Sequence, residues 1–406
     1  MSRWIVIADS PFLPARNGGQ RENLGFVEAM VEAGWLAGLV LPTDRRPEAL
    51  GRDDDLAAIE ELIAPAPLLL TPRRRFLTAI PRLPLHPYIV ASRPAPRGFG
   101  AVVRERVPDA DGIVVFSLKS IDIGHALAKQ LQLPLVLRQH NLEGPYHHAL
   151  AGSRRPPASW LIHVEGVRIH RLDLRLERAP WITGIADISM TDARIRAGRS
   201  RVPVAHVPPF ALGPAAAKEG PSWAPTAPVV VFVGALDVGT NHDAIEWFAR
   251  EVWPLVHGAH PQARWQVVGR APTAGVRDLI GRTPGAELHA DVPDPRTFLR
   301  EAAVAVNPTV SGSGINIKLV EYLSVGVPIV STTKGQAGLG LEEGKDLEVA
   351  DGPAAFADAV GRLLTQPEVA QAMGDAGAAS ARRLLDVSLS LRTMAELMSG
   401  RGATPA

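Results

Sequence analysis

The sequence predicts an α/β protein made of two doubly wound halves, and three observations predict it. Apolar runs of strand length alternate with amphipathic stretches of helical length along most of the 406 residues. Polar or glycine-rich clusters follow several of those strands at their carboxyl ends, where open parallel sheets bind ligands. Midway, the proline- and alanine-rich segment Pro208 to Pro228 breaks the alternation, which implies two domains facing across a cleft. The expected boundaries are 1–208, a linker at 209–228, a second domain at 229–385, and a C-terminal helix and tail at 386–406 that return to the first domain.

The first half opens with strand Trp4 to Ala8, a loop holding Gly18 and Gly19, a helix from about Gln20 to Glu32, and strand Trp35 to Leu41. Its glycines do not form the dinucleotide fingerprint, which argues against a nicotinamide cofactor. Gly18-Gly19 fits either a close backbone approach to another ligand or a plain turn. Residues 45–110 alternate arginine- and proline-rich loops with short apolar runs and show no clear period. Order returns with strand Gly112 to Phe116, a helix over Ile121 to Leu131, and strand Leu135 to Leu137. The polar run Arg138, Gln139, His140, Asn141, Leu142, Glu143 follows directly, and core packing explains it less well than a ligand cleft does. The charged helix expected over Pro157 to Ala179 reads as a solvated face. A strand is expected over Ile185 to Met190, with Thr191-Asp192 capping the next helix, and Val204 to Val207 closes the half.

In the second half, strands are expected at Val229 to Val233, Trp265 to Val268 and Glu287 to His289, with helices between them. The most informative stretch is Val304 to Gly338. A buried strand, Val304 to Val306, leads through Ser311, Gly312, Ser313 and Gly314 into a helix whose apolar face is Ile315, Ile317, Leu319, Val320 and Leu323. Pro328 ends that helix near Gly326, and strand Ile329 to Thr332 follows. A glycine-rich loop running into a helix start is a phosphate cradle. Lys318 beside the positive helix end is unfavourable alone and favourable with a bound diphosphate. Glu321 lies one turn on, placed for ribose hydroxyls. The alternative is an exposed Lys–Glu pair on an ordinary helix. Helices then cover Pro353 to Leu364, Pro367 to Leu385 and Ser388 to Met398.

Forty-three basic and 42 acidic residues give a net charge of +1, so no global field points to nucleic acid. Arginine clusters at 73–75, 93–106 and 194–201 favour an anionic surface locally, or are simply arginine-rich loops. The absence of cysteine excludes thiol nucleophiles, disulfides and thiolate metal sites. MSRWIVIADSPFLP lacks a signal-like apolar segment, and no apolar run reaches membrane-spanning length. The expectation is a cytoplasmic protein, with peripheral contact at the cytoplasmic face of a membrane left open.

FVGALDVGTNHDAIEWFAREVWP (232–254), Asn307-Pro308, SGSGINIKLVEYLSVGVPIVST (311–332) and RQHNLE (138–143) together resemble the retaining, nucleotide-sugar-dependent glycosyltransferases of the GT-B class, family four, often labelled group 1. The resemblance is strong over 229–385 and thinner before it. It implies two Rossmann-like α/β/α domains and transfer of a sugar from a nucleoside diphosphate to a hydroxyl acceptor in polysaccharide, glycolipid or glycoconjugate synthesis, without a required metal. By this resemblance Lys318 contacts the diphosphate and Glu321 the ribose. Gly234, Arg270, Gly312, Ser313, Gly314, Ile315 and Asn316 complete the donor side. His140 faces the reacting sugar, with Gly18, Gly19, Arg138, Asn141 and Glu143 toward the acceptor. There are two departures from the family pattern. Ser313 stands where many members have a glutamate touching the donor sugar, and Ala235 stands where many have an arginine, with no lysine nearby. A small secondary metabolite as acceptor, or an inactive nucleotide-sugar-binding accessory protein, are the other readings.

Overall fold

The computed structural model describes residues 2–15, 18–43, 54–152, 156–210, 212, 220–312 and 314–401. It divides into two compact units, Met1–Pro214 with Val387–Ala406, and Ala215–Asp386. In the first unit seven strands form one parallel sheet: β1 (Trp4–Ile7), β2 (Leu36–Thr43), β3 (Leu68–Pro72), β4 (Gly112–Phe116), β5 (Leu135–Gln139), β6 (Gly184–Asp187) and β7 (Val204–His206). Their order is β3-β2-β1-β4-β5-β6-β7, so the winding reverses between β1 and β4. The strands are apolar on both faces, as a sheet covered by helices on both sides requires. Trp4 and Val6 pack with Phe26, Met30 and Phe116 on one face, whereas Ile5 and Ile7 pack with Val115, Leu127 and Leu137 on the other.

The last helix, Val387–Met398, belongs to this unit although residues 215–386 intervene. It adds Leu391, Met394, Leu397 and Met398 to the core layer of Phe26 and Phe116. Two glycines at strand starts admit it. A Cβ on Gly184 would lie 2.5 Å from the Leu397 side chain, and one on Gly112 would lie 2.8 Å from Met398 Sδ.

The second unit repeats the architecture with six parallel strands: β8 (Val229–Val233), β9 (Arg264–Gly269), β10 (Ala286–Ala290), β11 (Val304–Asn307), β12 (Ile329–Ser331) and β13 (Glu348–Val349). The order β10-β9-β8-β11-β12-β13 places its reversal between β8 and β11. An aromatic core joins Phe232 of β8 and Trp265 of β9 to Phe248, Trp253 and Phe356, with Phe248 and Trp265 rings 4.8 Å apart. The helix expected over about His242 to His257 runs from Gly239 to Ala259 with a π-turn at Phe248–Val252. Pro254 has no N–H to bond the Arg250 carbonyl four residues back, and the wider turn relieves that conflict.

Two expectations, for the helix after β6 and for the charged helix, are corrected, and part of the linker is described. β6 ends at Asp187, and the following helix, Met190–Ala197, is capped by Ser189, whose hydroxyl accepts from the Asp192 N–H; Thr191-Asp192 already lies inside it. The expected linker is partly docked, since Ser222, Ala224 and Thr226 donate backbone hydrogen bonds to Val325, Arg300 and Glu301 of the second unit. The charged helix, Ala158–Leu176, is not solvated along its whole length. Asp173, and Glu177 at its end, are buried around Arg196, whose guanidinium lies 2.8 Å and 2.7 Å from them and 2.9 Å from Asp187. A solvated face could not be told from this cluster by period alone, because the arginine that collects the carboxylates comes from another helix.

Candidate functional site

In the second unit the site gathers at the carboxyl ends of β8 and β11, on either side of the reversal. The helix Lys318–Val325 and the helix beginning at Gly239 both start without a side-chain cap. Their first turns converge. Lys318 Nζ donates to Asn241 Oδ1 at 2.7 Å, Ser311 Oγ bonds Asp243, and a Cβ on Gly312 would lie 2.8 Å from the Thr240 methyl. Uncapped helix starts direct backbone N–H groups and positive dipole ends at one place, which favours an anion. Asn241 is itself fixed, its Nδ2 donating to Ala235 O at 2.8 Å. The Lys318 ammonium also lies 4.5 Å from the centre of the Phe232 ring. Withdrawal from water pushes that ammonium down to about 7.

Glu321 is buried, at 6% exposure, one turn along the same helix. An exposed Lys–Glu pair on an ordinary helix therefore does not describe this arrangement. Gly234 ends β8 so close to β9 that a Cβ on Gly269 would lie 1.8 Å from the Gly234 oxygen. Arg270 follows β9 directly and accepts, through its carbonyl, the Leu236 N–H at 2.9 Å. Gly312 and Gly314 take φ of +88° and +93°, conformations that suit glycine. Ser313 lies outside the described residues, and Ile315 is half-buried in the same loop. The Asn316 side chain ties loops together, its Oδ1 accepting from Thr309 and its Nδ2 donating to Gly335 O at 3.0 Å. Tyr322 clamps the helix to β8, accepting from Val233 N at 2.7 Å and donating to Val233 O at 2.9 Å.

In the first unit a polar cluster sits beyond β1, β4 and β5, again at the reversal. Asp9 accepts from Lys119 Nζ at 2.9 Å and from Ser10 Oγ at 3.1 Å. Burial opposes its charge, yet Lys119, His140 and Arg93 together hold its carboxyl at about 2. Arg93 Nε donates to the Asp9 carbonyl at 2.8 Å. Ser117, ahead of Lys119, holds φ +63° and ψ 149°, a region that is almost the preserve of glycine and marks stored strain. His140 follows β5, and its Nε2 is buried with no hydrogen-bond partner among the described residues. Burial lowers its pKa, against the opposing attraction of Glu22 and Asp9, so the imidazole is kept neutral. Glu143, first residue of the helix Glu143–Gly152, is buried, and burial raises its pKa against the pull of Lys119 and His147.

The sequence-selected residues of this unit separate. His140, Asn141 and Glu143 lie together after β5, while Gly18 and Gly19 form the start of the helix Gly18–Glu32. Arg138 is corrected. It is fully buried, lies 2.6 Å from Glu22 Oε1, donates to Pro208 O at 2.9 Å, and stacks near Phe26 and Phe210. Its guanidinium belongs to the fold, since successive side chains on a strand face opposite ways. Asp9, Arg93, Lys119 and Asn241 are the additional site groups. Asp9 and Lys119 closely follow the apolar runs of β1 and β4, so the rule that singled out His140 points to them equally. Among the described residues no group of three or more His, Asp or Glu side chains is placed to hold a metal.

The fold is shared with solved structures. HepE from Anabaena, in complex with UDP and glucose, is 14% identical and covers 97% of this chain and 99% of its own, with a TM-score of 0.58. Sucrose-phosphate synthase from Thermosynechococcus elongatus is 16% identical over 98% of both chains, with a TM-score of 0.64. TarM is 9% identical over 98% of this chain and 99% of its own, with a TM-score of 0.67. Two parallel sheets of this winding, each with a polar site at its reversal, make the chain a GT-B protein. Within that class, residues 227–366, which lie in the second unit, match the family described as glycosyl transferases group 1. An uncharacterized 44.6 kDa protein in the cps region of Klebsiella pneumoniae is 25% identical over 136 residues, 32% of this chain. The match spans about a third, 35%, of that relative's length. No described helix is long and apolar enough to cross a membrane.

Proposed function

We propose that the chain is a retaining glycosyltransferase, moving a sugar from a nucleoside diphosphate to a hydroxyl acceptor during polysaccharide or glycoconjugate synthesis. The observation that carries this reading is the convergence of two uncapped helix starts on Lys318. The second unit holds the donor. Lys318 and the backbone around Gly312 and Gly314 meet the diphosphate, Arg270 adds charge at the rim, and Glu321 receives the ribose hydroxyls. In the first unit His140 meets the reacting sugar, with Asn141, Glu143 and the Gly18-Gly19 helix start toward the acceptor. Transfer is on one face of the sugar, the leaving diphosphate accepting the acceptor's proton while the protein orients both and stabilises charge. No metal is required, because cation and helix dipoles meet the leaving group's charge. HepE, described in complex with UDP and glucose, supports the donor class, and the cps-region relative supports a polysaccharide product.

Lys318→Ala is expected to weaken binding of nucleoside diphosphate by about 1.5–3 kcal/mol, the size of a charge-assisted hydrogen bond. Glu321→Ala should instead reduce discrimination between ribose and deoxyribose forms. Calorimetric titration of both folded variants checks this, and unchanged affinities would remove the site from this helix. Because the Lys318 ammonium sits near 7, it is partly neutral at about pH 8, and a bound diphosphate restores its charge. Binding there is expected to take up protons, with uptake fading as pH falls below about 6, where the ammonium is already charged. Titrations in buffers of different ionisation enthalpy report it directly.

Ala235, where many family members carry arginine, favours one second reading, a nucleotide-sugar-binding protein without turnover. Release of nucleoside diphosphate from a donor panel in the presence of acceptors separates the two.

A further inference from the structure

We propose that the first unit carries a docking surface for an anionic lipid bilayer, formed by residues 73–85 and the start of the helix Ala158–Leu176. Large apolar side chains are concentrated there without a cover. Phe76, Leu77, Ile80 and Leu85 are 56%, 77%, 46% and 78% exposed. Trp160, Leu161 and Val164 are 68%, 68% and 58% exposed. These seven are more than half of the large exposed apolar residues among those described, so the distribution is not a scatter of single side chains.

The two stretches are neighbours. The Phe76 ring lies 5.5 Å from that of Tyr88, whose N–H donates to Glu165 at 2.7 Å, and Arg168 donates to the Leu83 and His86 carbonyls, the latter at 2.6 Å. Leu161 and Val164 stand one turn before Glu165 and Arg168, which hold residues 83–88, and Trp160 and Val164 line an open groove with His148 and Ala151.

Charge selects the occupant. Arg73, Arg74 and Arg75 are exposed beside the apolar ridge, and among the described residues none of their guanidinium groups meets a carboxylate. Among the described residues, Glu165 is paired with Arg168 and Asp122 with Arg82. Aromatic and aliphatic side chains bordered by exposed arginines match the acyl boundary and phosphate layer of an anionic leaflet. A second copy of the chain would set the same exposed arginines against an equally basic surface, which disfavours self-association through it. Contact of this kind is peripheral, and it does not depend on the sugar chemistry proposed above.

The test is flotation of the full chain with vesicles of equal parts phosphatidylglycerol and phosphatidylcholine, and with phosphatidylcholine alone. Binding is expected only to the anionic vesicles and should fall with added salt. Replacing Arg73, Arg74 and Arg75 together by alanine should weaken it on the order of a hundredfold, and Leu77→Asp with Leu85→Asp by at least about tenfold. All five positions are exposed, and thermal unfolding of each variant verifies that it folds. No binding to anionic vesicles, equal binding to neutral ones, or variants that bind unchanged would overturn the proposal. So would sedimentation showing that these substitutions dissociate an oligomer while vesicles never bind. Because donor binding is measured separately, a failure here leaves the transferase reading standing, and the reverse also holds.

Discussion

Replacing His140 by alanine is expected to lower turnover by about 10²- to 10³-fold, the usual effect of deleting a preorganised donor at a reacting centre. Affinity for the nucleoside diphosphate should hardly change, because Lys318, Asn241 and the glycine loop are in the other unit and remain intact. The expectation rests on an Nε2 that is buried without a partner among the described residues and on a ring held neutral by burial. A neutral imidazole donates from one nitrogen and accepts at the other, which suits a sugar hydroxyl. Burial depresses the His140 pKa, so the ring stays neutral to lower pH than an ordinary histidine. The acid limb of the rate profile should accordingly fall below about 6.5. Normal turnover in the variant would remove His140 from the reacting centre, and a loss confined to nucleotide affinity would relocate its role.

The largest stability effect is expected at Arg196. Its guanidinium is the shared partner of Asp173, Glu177 and Asp187, all buried, and Arg199 is a second cation on Glu177 at 2.7 Å. Arg196→Leu would leave the acids without their central charge, at a cost of about 3–5 kcal/mol in chemical denaturation of the full chain. A change under about 1 kcal/mol would show that the acids are already protonated or hydrated. Burial, outweighing Arg196, pushes the Asp187 carboxyl up to about 7. A carboxyl that holds its proton more tightly when folded contributes fully below its unfolded value near 4. That contribution is lost as pH rises through about 7. Denaturation at pH 5 and pH 8 should therefore differ, and Asp187→Asn should reduce the difference.

Much of this molecule was legible in its sequence, for identifiable reasons. Strands such as WIVI and GIVVF are buried on both faces, so they read as unbroken apolar runs. Lys318, Glu321 and the glycines before them are close in sequence because one loop and one helix start build that part of the site. Residues 54–106 were not legible. They hold the helices Asp54–Ile63 and Phe99–Arg106 among proline turns and short apolar runs, which obscure any period. Arg138 was misjudged because its position after an apolar run says nothing of its direction, which is fixed by Glu22 on a helix far away in sequence. Asn241 carries no signal of its own. It matters through a lysine 77 residues later.

The return of the last helix to the first unit has a consequence for biosynthesis. Residues 215–386 are contiguous, so the second unit has its whole core as soon as that stretch has left the ribosome. The first unit is begun earlier and finished later. Until Leu391, Met394 and Leu397 emerge, its sheet carries an open apolar slot beside Gly112 and Gly184. The earlier-made unit must therefore wait, incomplete, through the synthesis of the later one, and its exposed slot during that interval is where a chaperone or a second nascent chain would first find it.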